Sequence, residues 1–396
     1  LRRLSVLIAA NGVDMIGFAM VLPLLPFYAL ELRATPEVIG WIIASFSIAQ
    51  LVSAPLWGRL SDRYGRRPAL LIGLSGSAAA YVVFGLADSV WLLFLSRIVQ
   101  GAGGGTTGVA HAYVADTVAP QNRARALGWL SAATAAGVML GPVIGSLASH
   151  WGRAAPGFVA AFLCIINVVF AWKWLPESRV LGTGEQRASG HDSVWRVAWK
   201  VVRHPQEPVS VLIWIYAVGM LAFTGLTGVL ALYLGARFGV TEKTIGFFFL
   251  YVGGLSLVVR SLLLGPMVRR LGEVGAIRAG AMLLVTGLAL YPAAPNLWAL
   301  AVVIPFVPVG TALLFPATTS LLSARASQAE VGTVMGIAQT FAGIARVIAP
   351  VAATSLFQRA GRDVPFYAAA ATVALVSLAS FRLRPGPPET QGFQVR

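Results

Sequence analysis

The chain has 396 residues, of which 57% are hydrophobic and only 11% charged, with a formal net charge of +15 and a mean hydropathy of +0.76. That much apolar surface cannot be hidden inside a water-soluble fold, so an ordinary soluble protein is excluded. The basic balance invites a nucleic-acid partner, but the 30 Lys and Arg are scattered among short loops, and no soluble basic domain exists to grip a duplex.

A membrane-spanning helix needs roughly 20 predominantly apolar residues, because each residue rises about 1.5 Å through a hydrocarbon core about 30 Å thick. Charged and turn-rich breaks cut the chain into twelve such runs. The first half supplies runs near 4–30, 38–57, 68–87, 91–117, 124–149 and 156–175; the second supplies runs near 207–234, 243–264, 275–292, 296–322, 331–356 and 365–382. The expected architecture is all-α and integral to the membrane: an N-terminal six-helix bundle over 1–175, a cytoplasmic linker over 176–206 and a C-terminal six-helix bundle over 207–396. The linker carries Arg179, Arg187, His191, Arg196, Lys200 and Arg203, and Ser193–Val202 reads as an amphipathic helix on the membrane surface. With the amino terminus cytoplasmic, most of the Lys and Arg fall in or beside cytoplasmic segments. This positive-inside bias places both termini in the cytoplasm. The first apolar run follows Leu1-Arg2-Arg3 but is too long for a signal peptide and lacks an evident cleavage site, so it reads as a retained helix.

In chain order, the first segment carries Asn11, Asp14, Pro23 and Pro26. Asp14 lies about ten residues, roughly 15 Å, from Leu4, near mid-bilayer, and it is the only acid at such depth. After the second segment comes Gly58-Arg-Leu-Ser-Asp62-Arg63-Tyr-Gly65-Arg66-Arg67-Pro68, a tight turn with several arginines around one acid. A plain positive-inside loop needs arginines but neither Gly65 nor Asp62. A latch needs both, with Asp62 binding arginines or a helix N-terminus to hold helix ends together in one state. In the fourth segment, Leu95-Ser-Arg97-Ile-Val-Gln100-Gly101-Ala-Gly103-Gly104-Gly105 puts the Arg97 charge inside the membrane, where such residues are rare and by default functional. Gly101, Gly104, Gly108 and His111 return at helical spacing; close helix packing accounts for the glycines, and a satisfied polar residue is the simpler account of His111. The fifth segment holds Gly137, Gly141, Pro142 and Gly145, followed by Ser146, a smooth stripe with a kink.

The second half repeats parts of the first. Gly265, Arg270 and Gly272 match Gly58, Arg63 and Gly65, and Gly336 and Pro350 match Gly128 and Pro142 at nearly the same offset. Duplicated halves are a known transporter plan, with the substrate site between them near the midplane.

The 58–68 loop resembles the loop signature of the major facilitator superfamily; the Arg97 and Gly137–Ser146 strings resemble its second motif and its antiporter motif. With Asp14, Pro23 and Pro26, the whole looks most like the tetracycline-efflux branch of the twelve-helix drug:proton antiporters. The resemblance implies the major facilitator fold and proton-coupled efflux of hydrophobic or amphiphilic small molecules from a cell (inner) membrane, as in multidrug and antibiotic resistance, by a monomer using no cofactor. Asp14 and Arg97 would carry proton coupling. Protonation of Asp14 can depend on conformation and substrate, through burial and a nearby cation. The branch's acidic residue in the third segment is missing here, where Ala79, Ala80 and Tyr81 stand, which puts tetracycline itself in question. The antiporter motif ends in Ser146 instead of glycine.

The candidate substrate cavity draws on Asn11, Phe18, Gln100, His111, Tyr216, Phe223, Arg260 and Arg346. The three intramembrane cations Arg97, Arg260 and Arg346 outnumber Asp14 and favour neutral, zwitterionic or anionic amphiphiles over simple lipophilic cations. A lipid or lysolipid flippase on the same scaffold is the alternative within transport. A membrane receptor or an intramembrane enzyme is the alternative outside it, but no cluster of nucleophile, base or metal ligands appears. The single Cys164 permits neither an internal disulfide nor a cysteine metal site.

Overall fold

The computed structural model describes residues 2–178, 198–326 and 330–383, and all regular structure among them is helical. The helices are α1 (Arg2–Val21), α2 (Leu25–Glu31), α3 (Pro36–Tyr64), α4 (Arg66–Gly85), α5 (Val90–Gly103), α6 (Thr106–Thr117), α7 (Pro120–Ala148) and α8 (Ala155–Trp174). They continue as α9 (Pro208–Phe238), α10 (Ile245–Val258), α11 (Leu264–Leu290), α12 (Leu297–Val303), α13 (Phe306–Arg325), α14 (Val331–Arg359) and α15 (Val364–Leu378). Most of the linker, with Arg179, Arg187, His191, Arg196 and the start of the amphipathic helix expected from Ser193, lies outside the described residues.

Ten helical stretches are long and apolar enough to cross a membrane. One, Ile245–Leu290, runs 46 residues, more than a single crossing can use. Gly272 inside it sits at φ 67°, ψ 172°, so two crossings meet there at a turn. Another crossing is divided: α5 and α6 are each short, and they join across Gly104-Gly105. The twelve crossings read from the sequence are therefore all present. Local chemistry explains their limits. Thr35 accepts from the Val38 N–H at 3.4 Å, and Asn296 accepts from the Ala299 N–H at 2.9 Å, each starting a helix. Pro23 lies in the break between α1 and α2 and Pro26 in the first turn of α2, both places where a residue without an N–H forfeits no i→i−4 bond. Exposed apolar side chains such as Val52, Ile72, Phe162, Leu262 and Val302 face outward along the helices, where lipid is the solvent. Trp91, Trp151 and Trp298, each at a helix end, are about 80% exposed, as interfacial aromatics are.

Contacts group the chain into two compact units, Leu1–Glu185 with Ala231–Gly253, and Gln186–Leu230 with Gly254–Arg396. This grouping cuts through both α9 and α10, so it describes packing and not the ancestry of the halves. In the first unit α1 lies against α7 and α8, α4 against α8, α5 and α6, and α3 against α5. Leu7, Leu70, Leu74, Val109, Tyr113, Leu130 and Leu175 form a buried core. Lipid tails are as apolar as leucine, so helices associate there by close fit. The glycine stripe of α7 provides that fit. A Cβ at Gly137 would lie 2.7 Å from the Gly12 carbonyl oxygen, at Gly141 2.6 Å from that of Ile16, and at Gly145 2.7 Å from that of Met20. On another face of α7, the Ser146 hydroxyl accepts from the Gly246 N–H at 2.8 Å and donates to the Glu242 carbonyl at 2.7 Å.

In the second unit α11 packs on α13 and α15, and α14 on α13 and α15. Gly280 and Gly310 face each other across the α11–α13 crossing, each where a Cβ would meet the other's carbonyl oxygen below 3.0 Å. Arg278 donates to the carbonyls of Ser380 and Leu383 at 3.1 and 3.0 Å and ties the last helix down.

Candidate functional site

Three clusters of polar side chains stand out, two in the first unit and one in the second. The first lies inside the membrane-spanning part. Helical spacing on α5 turns Ser96, Arg97, Gln100 and Gly101 to one buried face, and Arg97 is only 1% exposed. Among the described residues none of its guanidinium nitrogens has a hydrogen-bond partner; the group lies over the Phe84 ring at 5.6 Å. Three residues along, Gln100 Nε2 donates to the Tyr81 hydroxyl at 2.6 Å. The Tyr81 ring crosses to α1, where a Cβ on Gly17 would sit 3.0 Å from Cε2, so the glycine leaves the ring its room. Tyr81 thus fills the space beside α1 from the stretch of the third segment where the family resemblance called for an acid. Asp14, one turn before Gly17, has no hydrogen bond or ion pair among the described residues. It lines a cavity with Leu7, Asn11, Leu70, Leu74, Thr106 and Leu175, which extends toward the helix ends that carry the 58–68 loop. Asn11 spends its amide on Thr134 Oγ1 at 2.7 Å and the Leu130 carbonyl, tying α1 to α7 and leaving Asp14 unengaged.

The second cluster is the 58–68 turn. Gly65, at φ 105° and ψ 160°, ends α3 and starts α4 with no intervening loop. Arg66 pairs with Asp62 at 2.8 Å and with Asp116 at 3.0 Å, and donates to Ser61 Oγ at 2.7 Å. The N-terminus of α4 is capped by Glu177, whose carboxylate accepts from the Arg66 and Arg67 N–H groups at 2.8 and 3.1 Å. The Arg67 side chain donates to the Trp172 carbonyl on α8, and Arg63 lies over the Tyr64 ring. Gly58 has open space around it.

The third cluster belongs to the second unit. Gln339 on α14 donates to the Tyr216 hydroxyl on α9 at 3.2 Å. The Phe315 ring of α13 stands 5.5 Å from that of Tyr216 and 6.4 Å from that of Phe223. Arg346 lies on α14 two turns beyond Gln339, half-buried, with no hydrogen bond or ion pair among the described residues.

Of the residues singled out from sequence, Asp14, Arg97, Gln100 and Asn11 share the first unit's interior, and Tyr216, Phe223 and Arg346 share the third cluster's helices. Phe18 packs on Phe46 at 5.2 Å. His111 is exposed on α6, and Arg260 is exposed in a π turn, Val259–Leu263, that follows α10. Sequence reasoning missed Tyr81, Glu177 and Gln339. Spacing offers a signal for Gln339, seven residues before Arg346 on one helical face. Nothing local points to Glu177, which meets a helix more than 100 positions away. Among the described residues no three His, Cys, Asp or Glu side chains gather as a metal site.

Known proteins share both the sequence pattern and the fold. The chain is 28% identical to the class D tetracycline resistance protein of Salmonella ordonez over 352 residues, 87% of each chain. It is 29% identical to multidrug resistance protein 1 of Bacillus subtilis (strain 168) over 377 residues, 94% of each. Among solved structures, the human organic anion transporter MFSD10 (TETRAN) superposes with a TM-score of 0.70 at 23% identity, covering 96% of this chain and 99% of that one. A bacterial homolog of the human lysosomal transporter Spinster superposes at 0.80 with 13% identity, covering 96% and 95%. The Major Facilitator Superfamily itself matches over residues 7–307 and 262–395. The chain, a multi-pass membrane transporter and not an enzyme, belongs to the major facilitator superfamily.

Proposed function

We propose that this transporter is a proton-coupled antiporter that exports hydrophobic or amphiphilic small molecules by alternating access. The observation that carries the reading is the pair of unsatisfied opposite charges inside the first unit. Among the described residues Arg97 is buried without a hydrogen-bond partner, and Asp14 lines a cavity without one. A charge held inside a membrane without compensation is expensive, and a purely structural pair would be expected to have closed. A carboxyl group can exchange its proton usefully only where its surroundings change between those favouring the charged and the neutral form. An Asp14 that pairs with Arg97 in one state and stands apart in another has that property. In the exchange it takes up a proton from one side, releases it to the other, and the substrate moves the opposite way. The relatives' names, tetracycline resistance and multidrug resistance, support outward transport.

The cytoplasmic face is assigned to the 58–68 turn, which its density of arginines supports, and with it both termini to the cytoplasm and the chain to the cell (inner) membrane. The salt-bridged turn, Asp62 with Arg66 and Asp116, is assigned to conformational switching. The halves 1–175 and 207–396 are assigned to one duplication. Gly65 and Gly272, at matching places in the repeat, both having positive φ, support that. The working unit is assigned as a monomer.

The test is Asp14→Asn in reconstituted vesicles, which keeps size and polarity but cannot titrate. Substrate movement driven by an imposed pH gradient is expected to vanish while the variant remains folded. Undiminished gradient-driven transport by this variant would remove Asp14 from the coupling.

A further inference from the structure

We propose that Arg346 and the aromatic side chains beside it on α9 and α13 form a binding site for a monoanionic aromatic amphiphile, whose carboxylate pairs with the guanidinium. The proposal rests on the transport reading above and names the class of substrate for it. Charge placement is the first argument. Arg346 is near the middle of the 29-residue α14, while the described acids of its own unit, Glu207, Glu273, Glu330 and Asp363, all stand at helix ends. Among the described residues of the unit it therefore has no counter-ion at its own depth, and a guanidinium inside a membrane needs water or an anion. In the matching position of the repeat, the first half has the apolar Val138, so the charge belongs to one half only.

The second argument is what stands at that depth. α9 and α14 run side by side in the same direction, with Tyr216 against Gln339, Gly225 against Ala349 and Ala353, and Gly228 against Pro350. The same register brings Phe223 level with Arg346. Phe315, from α13, touches both Tyr216 and Phe223. Tyr216 is buried, but Phe223, Phe315 and Arg346 are only half-buried and keep surface for a ligand. Aromatic edges and faces at this spacing receive a ring by stacked or edge-on contact.

The chemistry of the head group follows from the cation. A guanidinium presents a planar fork that fits a carboxylate with two parallel hydrogen bonds. One positive charge balances a monoanion; a dianionic phosphate would leave a net charge in apolar surroundings. A lipophilic cation would be repelled, so the same residue selects and excludes.

The test is equilibrium binding to the purified full chain in detergent, with pyrenebutyrate and its neutral counterpart pyrenebutanol as probes. Energy transfer from the 11 tryptophans to pyrene reports binding. Arg346→Ala is expected to weaken pyrenebutyrate about tenfold or more, the size of a lost charge-assisted hydrogen bond, and to leave pyrenebutanol within about twofold. Arg346→Lys keeps the charge without the fork and falls between. Unliganded melting temperatures identify any variant that has lost its fold, and the lysine variant then carries the test. Equal weakening of both probes, or unchanged pyrenebutyrate binding, overturns the proposal. Tighter binding of lysophosphatidylglycerol than of pyrenebutyrate, with a larger loss in Arg346→Ala, identifies a lipid head group and overturns the carboxylate assignment. Recovery of the Arg346→Ala loss by adding Asp14→Asn identifies a structural ion pair and overturns it as well. No pH gradient enters these measurements, so a failure of proton coupling leaves their outcome readable.

Discussion

Replacing Gly65 with alanine is expected to do two separable kinds of damage. The backbone there, at φ 105° and ψ 160°, lies in a region that is essentially restricted to glycine, and holding another residue in it costs about 1–3 kcal/mol. The new Cβ would also run into the Glu177 carboxylate, which caps α4 through the Arg66 and Arg67 N–H groups. Displacing that cap costs about 0.5–2 kcal/mol more. Glu177→Ala alone loses only the cap. In the double variant the cap is already gone, so its loss counts once, and the two effects fall short of additivity by about 0.5–2 kcal/mol. Unfolding in detergent can be followed through the chain's single cysteine, Cys164, which is free and fully buried in the first unit and reacts with a thiol dye only when exposed. Glu177→Ala should lower the midpoint moderately, Gly65→Ala further, and the double variant should unfold close to Gly65→Ala. Full additivity would show that Gly65 and Glu177 act independently, and an unperturbed Gly65→Ala would refute the steric argument altogether.

Arg97→Met should separate stability from activity: removing an uncompensated buried cation leaves the melting temperature unchanged or raised, whereas gradient-driven transport is lost. A large drop in melting temperature would instead make Arg97 a structural residue. Ser146→Ala leaves the Gly246 N–H and the Glu242 carbonyl without their partner and should destabilise by about 1–3 kcal/mol. Ser149→Ala is the control, since among the described residues that hydroxyl bonds only to the Ser146 carbonyl on the same stretch of chain, and equal shifts for the two serines in thermal unfolding would contradict the assignment.

The sequence by itself determined the twelve crossings and the turns at Gly65 and Gly272. These follow from a constraint that does not depend on neighbours. A bilayer demands a set length of apolar helix with its backbone bonded internally, and breaks are written locally by proline, glycine and charge. Asp14 and Arg97 were legible as candidates for the same reason, because depth in a span can be counted along one helix. Which groups they meet could not be counted. Tyr81 took the space beside α1 because Gly17 left room for its ring. Asn11 turned to Thr134 and not to Asp14, and Glu177 reached α4 from the far end of the first half. Helices in lipid settle by steric fit between backbones, at positions such as Gly137, Gly141 and Gly145 against α1. That fit sets the rotation of every helix, and rotation decides whether a buried charge finds a partner, a cavity or neither; only the tertiary structure holds that information.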